Sequence, residues 1–129
     1  MHDTTIRPGV ALLLGAPPRI TITATAERTV VAVTGELDLA VTGRLAARLG
    51  EELDLAPRAL VIDLSDLTFC SARGLGVLLD AVAADIPVAV VADGRAVLRP
   101  VEALELEDVL PLFRTLAEAE DWLGGHHDQ

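Results

Sequence analysis

The alternation of apolar and polar residues in the first part of the chain predicts a β-hairpin. Residues 19–25 alternate isoleucine or alanine with polar side chains, as a strand with one buried face does. Residues 26–28 can turn the chain into a second, more apolar strand at 29–34. We expect this second strand to end at Gly35, because glycine weakens a strand interior.

The middle of the chain alternates helical and strand patterns. Apolar residues recur at helical spacing in two segments, and a short apolar run follows each of them. Asp38 or Thr42 can cap the first helix, and residues 65–71 are predicted to form a short loop before the second helix. In chain order, the pattern predicts a helix at 38–50 closed by Gly50, a strand at 59–64, a helix at 72–84 and a strand at 88–92.

The last third of the chain predicts two more helices around a short strand. Pro100 interrupts a helical pattern at 95–104, which favours a short kinked helix or one that begins near Arg99. Residues 109–113 contain a proline and are typical of an edge strand. Thr115, with Glu118 in capping-box position, predicts a last helix that ends at Gly124.

This order of elements predicts an α/β fold. Strands that alternate with helices after a hairpin favour a mixed sheet of about four to six strands, with parallel crossovers and about four helices. We predict one domain at 19–124, an N-terminal extension at 1–18 and a disordered tail at 125–129. The apolar run at 10–16 is too short for a targeting signal, and we expect no membrane insertion.

The net charge of the chain limits the classes of molecule that we expect as partners. The chain has 129 residues, with ten basic and twenty acidic ones, so its net charge is −10. Nucleic acids and anionic membranes require a basic surface, so we expect neither as a partner. A protein with a basic face is the partner that this charge favours.

The sequence offers little catalytic chemistry. The histidines are His2, His126 and His127, which all lie in the predicted terminal segments, so no Ser-His-Asp or Cys-His arrangement is expected. Cys70, the one cysteine, follows a phenylalanine and is interpreted as a small buried hydrophobe rather than a reactive thiol. We therefore expect no enzyme activity, no metal and no cofactor.

Polar residues cluster at two places where a strand ends and a helix begins, which is the usual position of binding sites in α/β folds. Helix capping is the alternative role for Asp38, Thr42 and Ser71, and close packing of the helix on a strand is the alternative for Gly74. The first cluster is Glu36, Asp38 and Thr42, and the second is Thr68, Ser71, Arg73 and Gly74.

Three stretches resemble the STAS domain of bacterial anti-sigma factor antagonists. They are Gly35 to Asp38, Val61 to Phe69 and Gly74 to Leu79, and the resemblance extends over residues 20–123. It implies a cytoplasmic, non-catalytic regulator that binds an anti-sigma factor and so releases a sigma factor. In this family the anti-sigma factor is also a serine kinase. It phosphorylates the antagonist at the start of the helix after the third strand, and this breaks the complex.

The chain departs from the family at that position. The family usually reads Asp-Ser-Ser-Gly-Leu with the first serine phosphorylated, whereas here Ala72 occupies the acceptor position, after Ser71 and before Arg73. Three interpretations follow: a binder that is not phosphorylated, a phosphoacceptor moved to Ser71, or Arg73 as a partner contact. The implied partner interface comprises Glu36, Asp38, Thr42, Ser71, Ala72, Arg73, Gly74 and Leu75.

Two other functions stay open at this point. The chain could be the STAS subunit of another assembly, such as a stress-signalling complex or a lipid-transporting ABC system. It could also bind a small molecule or nucleotide in a pocket between the two polar loops. The identity of the protein that co-purifies with the chain would separate the first of these from an anti-sigma antagonist.

Overall fold

The computed structural model describes residues 19–127 and confirms a mixed α/β fold. The extension at 1–18 and residues 128–129 lie outside the described residues. Within them there are six strands: β1 Arg19–Ala24, β2 Thr29–Leu37, β3 Leu60–Asp63, β4 Leu67–Cys70, β5 Val88–Val91 and β6 Leu112–Phe113. The helices of the same region are α1 Leu39–Asp54, α2 Ala72–Val82, α3 Arg95–Ala103 and α4 Leu116–His127.

The sheet has the strand order β1-β2-β3-β5-β6, and β4 pairs with β2 outside this path. β1 and β2 form the predicted antiparallel hairpin, with Arg19 opposite Thr34. The pairs β2–β3, β2–β4, β3–β5 and β5–β6 are parallel, which confirms the predicted crossovers. Because parallel strands end at one edge of a sheet, the starts of α1, α2 and α3 all lie at that edge. We call it the carboxyl edge.

Side-chain alternation along the central strands assigns each helix to a face of the sheet. Leu60 and Ile62 of β3 belong to the large core cluster that also contains buried residues of α1, α2 and α3. Val61 points the other way and packs with Ala119 and Leu123 of α4. Helices therefore cover both faces, and this explains why the middle strands are apolar at consecutive positions.

The prediction that the second strand ends at Gly35 was wrong. Gly35 has a positive φ of 87°, and the strand register shifts between Gly35 and Glu36. The strand continues through this irregularity to Leu37, whose Cα partner in β4 is Cys70. A glycine signals a bulge as well as a strand end, and the sequence pattern does not distinguish the two.

The predicted loop at 65–71 contains a strand. Residues Leu67–Cys70 form β4, in which both end residues are buried and the two middle residues are exposed. This pattern lacks the alternation typical of a strand. β4 exists because the extension of β2 beyond Gly35 supplies its hydrogen-bonding partner.

One helix extends beyond its predicted end, and another has one of its two predicted starts. α1 continues past Gly50 to Asp54, with Leu53 packed against the core at helical spacing from the buried Leu49. α3 begins at Arg95 and contains Pro100, so a start near Arg99 was wrong.

The last helix confirms its predicted cap and extends past its predicted end. The hydroxyl of Thr115 accepts a hydrogen bond from the backbone N–H of Glu118 at 3.1 Å, and the Glu118 carboxylate accepts one from the N–H of Arg114 at 3.1 Å. α4 continues beyond Gly124 to His127. A disordered tail stays a prediction for the residues that follow.

Candidate partner-binding site

The first polar cluster surrounds the start of α1. Asp38 is the N-cap, and its Oδ1 accepts a hydrogen bond from the backbone N–H of Val41 at 3.0 Å. Thr42 does not cap the helix. Its side chain is buried, and its hydroxyl has no hydrogen-bond partner among the described residues. Glu36 and Asp38 are exposed at this end of the helix, whereas Thr42 lies beneath them and offers a partner no surface.

The second polar cluster surrounds the start of α2. Ser71 is the N-cap, with its Oγ accepting from the backbone N–H of Gly74 at 3.0 Å. The backbone N–H of Ser71 donates to the carbonyl of Leu37 at 3.1 Å. This second bond ties the helix start to the end of β2, so the two clusters share one edge of the sheet.

Gly74 lies where α2 packs closely against β2 and β4. A Cβ atom at this position would lie 2.8 Å from Cδ2 of Leu37 and 3.2 Å from Sγ of Cys70. No side chain larger than hydrogen fits without displacing these neighbours. The close-packing role predicted for Gly74 is confirmed. Gly74 and Leu75 are buried beneath the exposed residues of the site and support them.

Ala72 and Arg73 are the exposed residues of the first turn of α2. That turn has no acidic residue, and Arg73 has no ion pair within residues 19–127. A cation near a helix N-terminus is electrostatically disfavoured, because the first N–H groups carry partial positive charge. The Arg73 guanidinium is therefore available to an acidic group from outside the chain.

A cleft of about 600 Å³ lies beside the first cluster. The hydroxyl of Thr68 donates to the carbonyl of Gly35 at 3.0 Å and so joins β4 to the bulge of β2 at the cleft. Three carboxylates face one guanidinium in this cleft, which disfavours the phosphates of a nucleotide. The lining residues are Arg19, Thr34, Gly35, Glu36, Asp38, Asp66 and Thr68.

Sequence reasoning missed Asp66 as a site residue. The signal was available, because Asp66 follows an apolar strand and a polar residue at a strand end is a common component of α/β sites. The tertiary structure adds that Asp66 shares a cleft with Glu36 and Asp38, which are distant in sequence.

Cys70 is buried, and burial raises the pKa of its thiol from 9.0 to about 11. A thiol with this pKa is almost fully protonated at neutral pH, in agreement with its interpretation as a small hydrophobe. Among the side chains that the structure describes, residues 19–125, there is no group of three His, Cys, Asp or Glu residues that could hold a metal ion. Over the same range, no helix combines the length and the apolar character needed to cross a bilayer.

Comparison with known proteins gives one family match that covers most of the chain. The STAS domain family matches residues 18–119. The anti-sigma-F factor antagonist RsfB of Mycobacterium tuberculosis is 33% identical over 111 residues, which are 82% of this chain and 91% of RsfB. The STAS family match includes both polar clusters.

Solved structures show the same fold. The crystal structure of an anti-sigma factor antagonist from Mycobacterium paratuberculosis aligns with a TM-score of 0.78 at 29% identity, covering 84% of this chain and 95% of that one. The unphosphorylated form of the Bacillus anti-sigma factor antagonist SpoIIAA aligns with a TM-score of 0.67 at 20% identity, covering 82% of this chain and 96% of that one. The SpoIIAA likeness concerns the fold alone.

The packing at Gly74 predicts a large difference between two neighbouring glycines. Gly74→Ala should lower the free energy of unfolding by about 1–3 kcal/mol, because the new methyl group overlaps Leu37 and Cys70. Gly76→Ala is the matched control. Nothing lies within 4 Å of its Cβ position, so alanine should be neutral or stabilise the helix by up to about 1 kcal/mol. Urea unfolding of both variants measures the difference, and equal stability would contradict the packing assignment.

The raised pKa of Cys70 predicts a component of stability that is lost at alkaline pH. The unfolded thiol ionises near its ordinary pKa of 9.0, whereas the folded thiol keeps its proton up to about pH 11. The Cys70 contribution to stability should therefore be constant well below pH 9 and fall as the pH rises towards 11, by up to about 1.4 kcal/mol per pH unit. Urea unfolding of the wild type and of Cys70→Ala isolates this component. Parallel pH profiles would contradict it.

Proposed function

The chain belongs to the STAS domain family of anti-sigma factor antagonists, and from this we propose that it is a non-catalytic regulator that binds an anti-sigma factor and so frees a sigma factor. The observation that carries the proposal is the 33% identity to an anti-sigma-F factor antagonist over 82% of the chain. We propose that it acts in the cytoplasm, where sigma factors associate with RNA polymerase.

The proposed binding face is the exposed part of the two polar clusters. Glu36, Asp38, Ala72 and Arg73 are exposed at the carboxyl edge, and the half-buried Ser71 lies at the same edge, at the start of α2. Thr42, Gly74 and Leu75 are buried beneath this face, so they support it without direct contact. The face carries charges of both signs, which allows a partner to be recognised by its charge pattern.

We further propose that the partner is an anti-sigma factor of the kinase type and that this chain binds it without being phosphorylated. Ala72 is exposed at the first residue of α2 but has no hydroxyl to accept a phosphate. The Ser71 hydroxyl is one residue away, yet it caps the helix through Gly74. A kinase would have to break this cap, at a cost of about 1 kcal/mol, so phosphorylation of Ser71 is the second alternative.

Direct binding tests the proposed function. Purified chain should bind one of the anti-sigma factors of its own organism in a calorimetric titration. Arg73→Glu should weaken this binding about tenfold or more, because it reverses an exposed charge of the face. The helix start should tolerate the substitution, since an acidic residue is favourable there. Arg58→Glu is the matched control, because Arg58 is exposed where the chain enters β3, at the opposite edge of the sheet.

Two results would contradict the proposed function, and a third would contradict the proposed binding face. If the chain bound no anti-sigma factor of its own organism, the proposed function would be wrong. Direct binding to the ATPase of a transporter instead would favour the STAS subunit of another assembly. Equal affinities of Arg73→Glu and Arg58→Glu for the anti-sigma factor would show that the face is misplaced.

Phosphorylation is tested with the anti-sigma factor and ATP, followed by mass spectrometry of the chain. The wild type should gain no phosphate, whereas Ala72→Ser should gain one, because the variant restores a hydroxyl at an exposed helix start. The double variant with Ser71→Ala and Ala72→Ser should gain one phosphate as well, which assigns it to position 72. A phosphate on Ser71 in the wild type would reverse the order of the two alternatives.

A further inference from the structure

Two large apolar side chains are exposed beside the acidic cleft. Leu39, the first residue of α1, is 67% exposed, and Phe69 of β4 is 48% exposed. Neither belongs to a hydrophobic core cluster of the described residues. Isolated exposed hydrophobic residues are common on protein surfaces, so their surroundings decide whether they have a role.

The fold places both residues next to residues that line one cleft. Phe69 is the Cα partner of Glu36 in the parallel pairing of β2 with β4, and it directly follows Thr68, which lines the cleft. Leu39 directly follows Asp38, which lines the cleft from the start of α1. Residues that are 30 positions apart in sequence are thereby brought to one surface by the extension of β2 beyond Gly35. We call Leu39 and Phe69, with Glu36, Asp38 and Asp66, the apolar-acidic patch.

The charge of the apolar-acidic patch indicates which kind of segment binds to it. Three acidic residues line the cleft next to the two hydrophobic residues, and Arg19 is the one cation among the cleft residues that the structure describes. An apolar surface framed by carboxylates fits a segment whose apolar side chain is flanked by arginine or lysine. The net charge of −10 reinforces attraction of a basic segment at long range.

We propose that the apolar-acidic patch binds a segment of the partner protein that presents an apolar anchor between basic side chains. This inference rests on the proposed function, because it extends the partner face from α2 across the bulge of β2. The two kinds of residue in the patch make different contributions to binding. Leu39 and Phe69 hold the complex by burying apolar area, and the carboxylates speed its formation by attracting basic groups.

Binding kinetics with the purified partner separate these two contributions. Phe69→Ala and Leu39→Ala should each raise the dissociation rate about tenfold, because exposed aromatic and aliphatic anchors act mainly after contact has formed. Leu55→Ala is the matched apolar control. Leu55 is 73% exposed but lies at the far end of α1, so its loss should change the dissociation rate less than about twofold.

The acidic frame has a different expected signature. Glu36→Lys and Asp66→Lys should lower the association rate about tenfold at low ionic strength and reduce its dependence on salt. Asp85→Lys is the matched control. It makes the same charge change between α2 and β5, at the edge of the sheet opposite to the patch. Asp38 is not substituted, because loss of its capping hydrogen bond at the start of α1 would change stability as well as binding.

The outcomes distinguish this inference from the proposed function. If the wild type binds an anti-sigma factor and the patch variants match their controls, the patch inference is overturned while the proposed function stands. If the directly binding protein is of another class but the patch variants weaken it as described, the proposed function fails and the patch inference stands. If no purified protein binds the wild type, both are overturned. Melting temperatures of all variants verify that each one folds.

Discussion

The contact between Gly74 and the end of β2 is the constraint on which the site depends. Helix α2 approaches the strands so closely that a Cβ atom at Gly74 would overlap Leu37. The same approach lets the N–H of Ser71 reach the carbonyl of Leu37 and brings Cys70 into the core. If α2 were held further away, the two polar clusters would no longer share one surface. A hydrogen atom in place of a side chain thus determines the geometry of the partner face.

The bulge at Gly35 is the second requirement, and it acts through the backbone. A positive φ lets β2 shift register, continue to Leu37 and pair with β4. This pairing places Phe69 beside Glu36 and places Thr68 and Asp66 at the same cleft. Gly35 and Gly74 both lie in the stretches that resemble the STAS family. The similarity therefore includes positions where the backbone has little freedom to change. The chemistry at Ala72 and Arg73, which are exposed and unconstrained by packing, differs from the family.

The capping residues connect the fold to the function. Asp38 and Ser71 satisfy backbone N–H groups at the starts of two helices, and each capping bond is expected to stabilise the fold by about 1 kcal/mol. Caps at the carboxyl edge necessarily lie where partners and ligands bind in such folds. A charge change at Asp38 or a phosphate on Ser71 would therefore alter stability and recognition together. Ala72 and Arg73 are free of this coupling because neither caps the helix.

Local sequence patterns were sufficient for the hairpin, the apolar strands β3 and β5 and the four helices of the described residues. Alternation, helical spacing and short apolar runs record which positions are buried, and the last helix is marked by its cap. The caps at Asp38, Ser71 and Thr115 were predictable for the same reason, since a cap is a local hydrogen bond. The continuation of β2, the existence of β4, the burial of Thr42 and the acidic cleft that includes Asp66 were decided by tertiary structure alone. Each of these depends on residues far apart in sequence that meet only when β4 pairs with β2 and α2 packs on both. Local sequence patterns do not predict contacts between residues that are far apart in sequence.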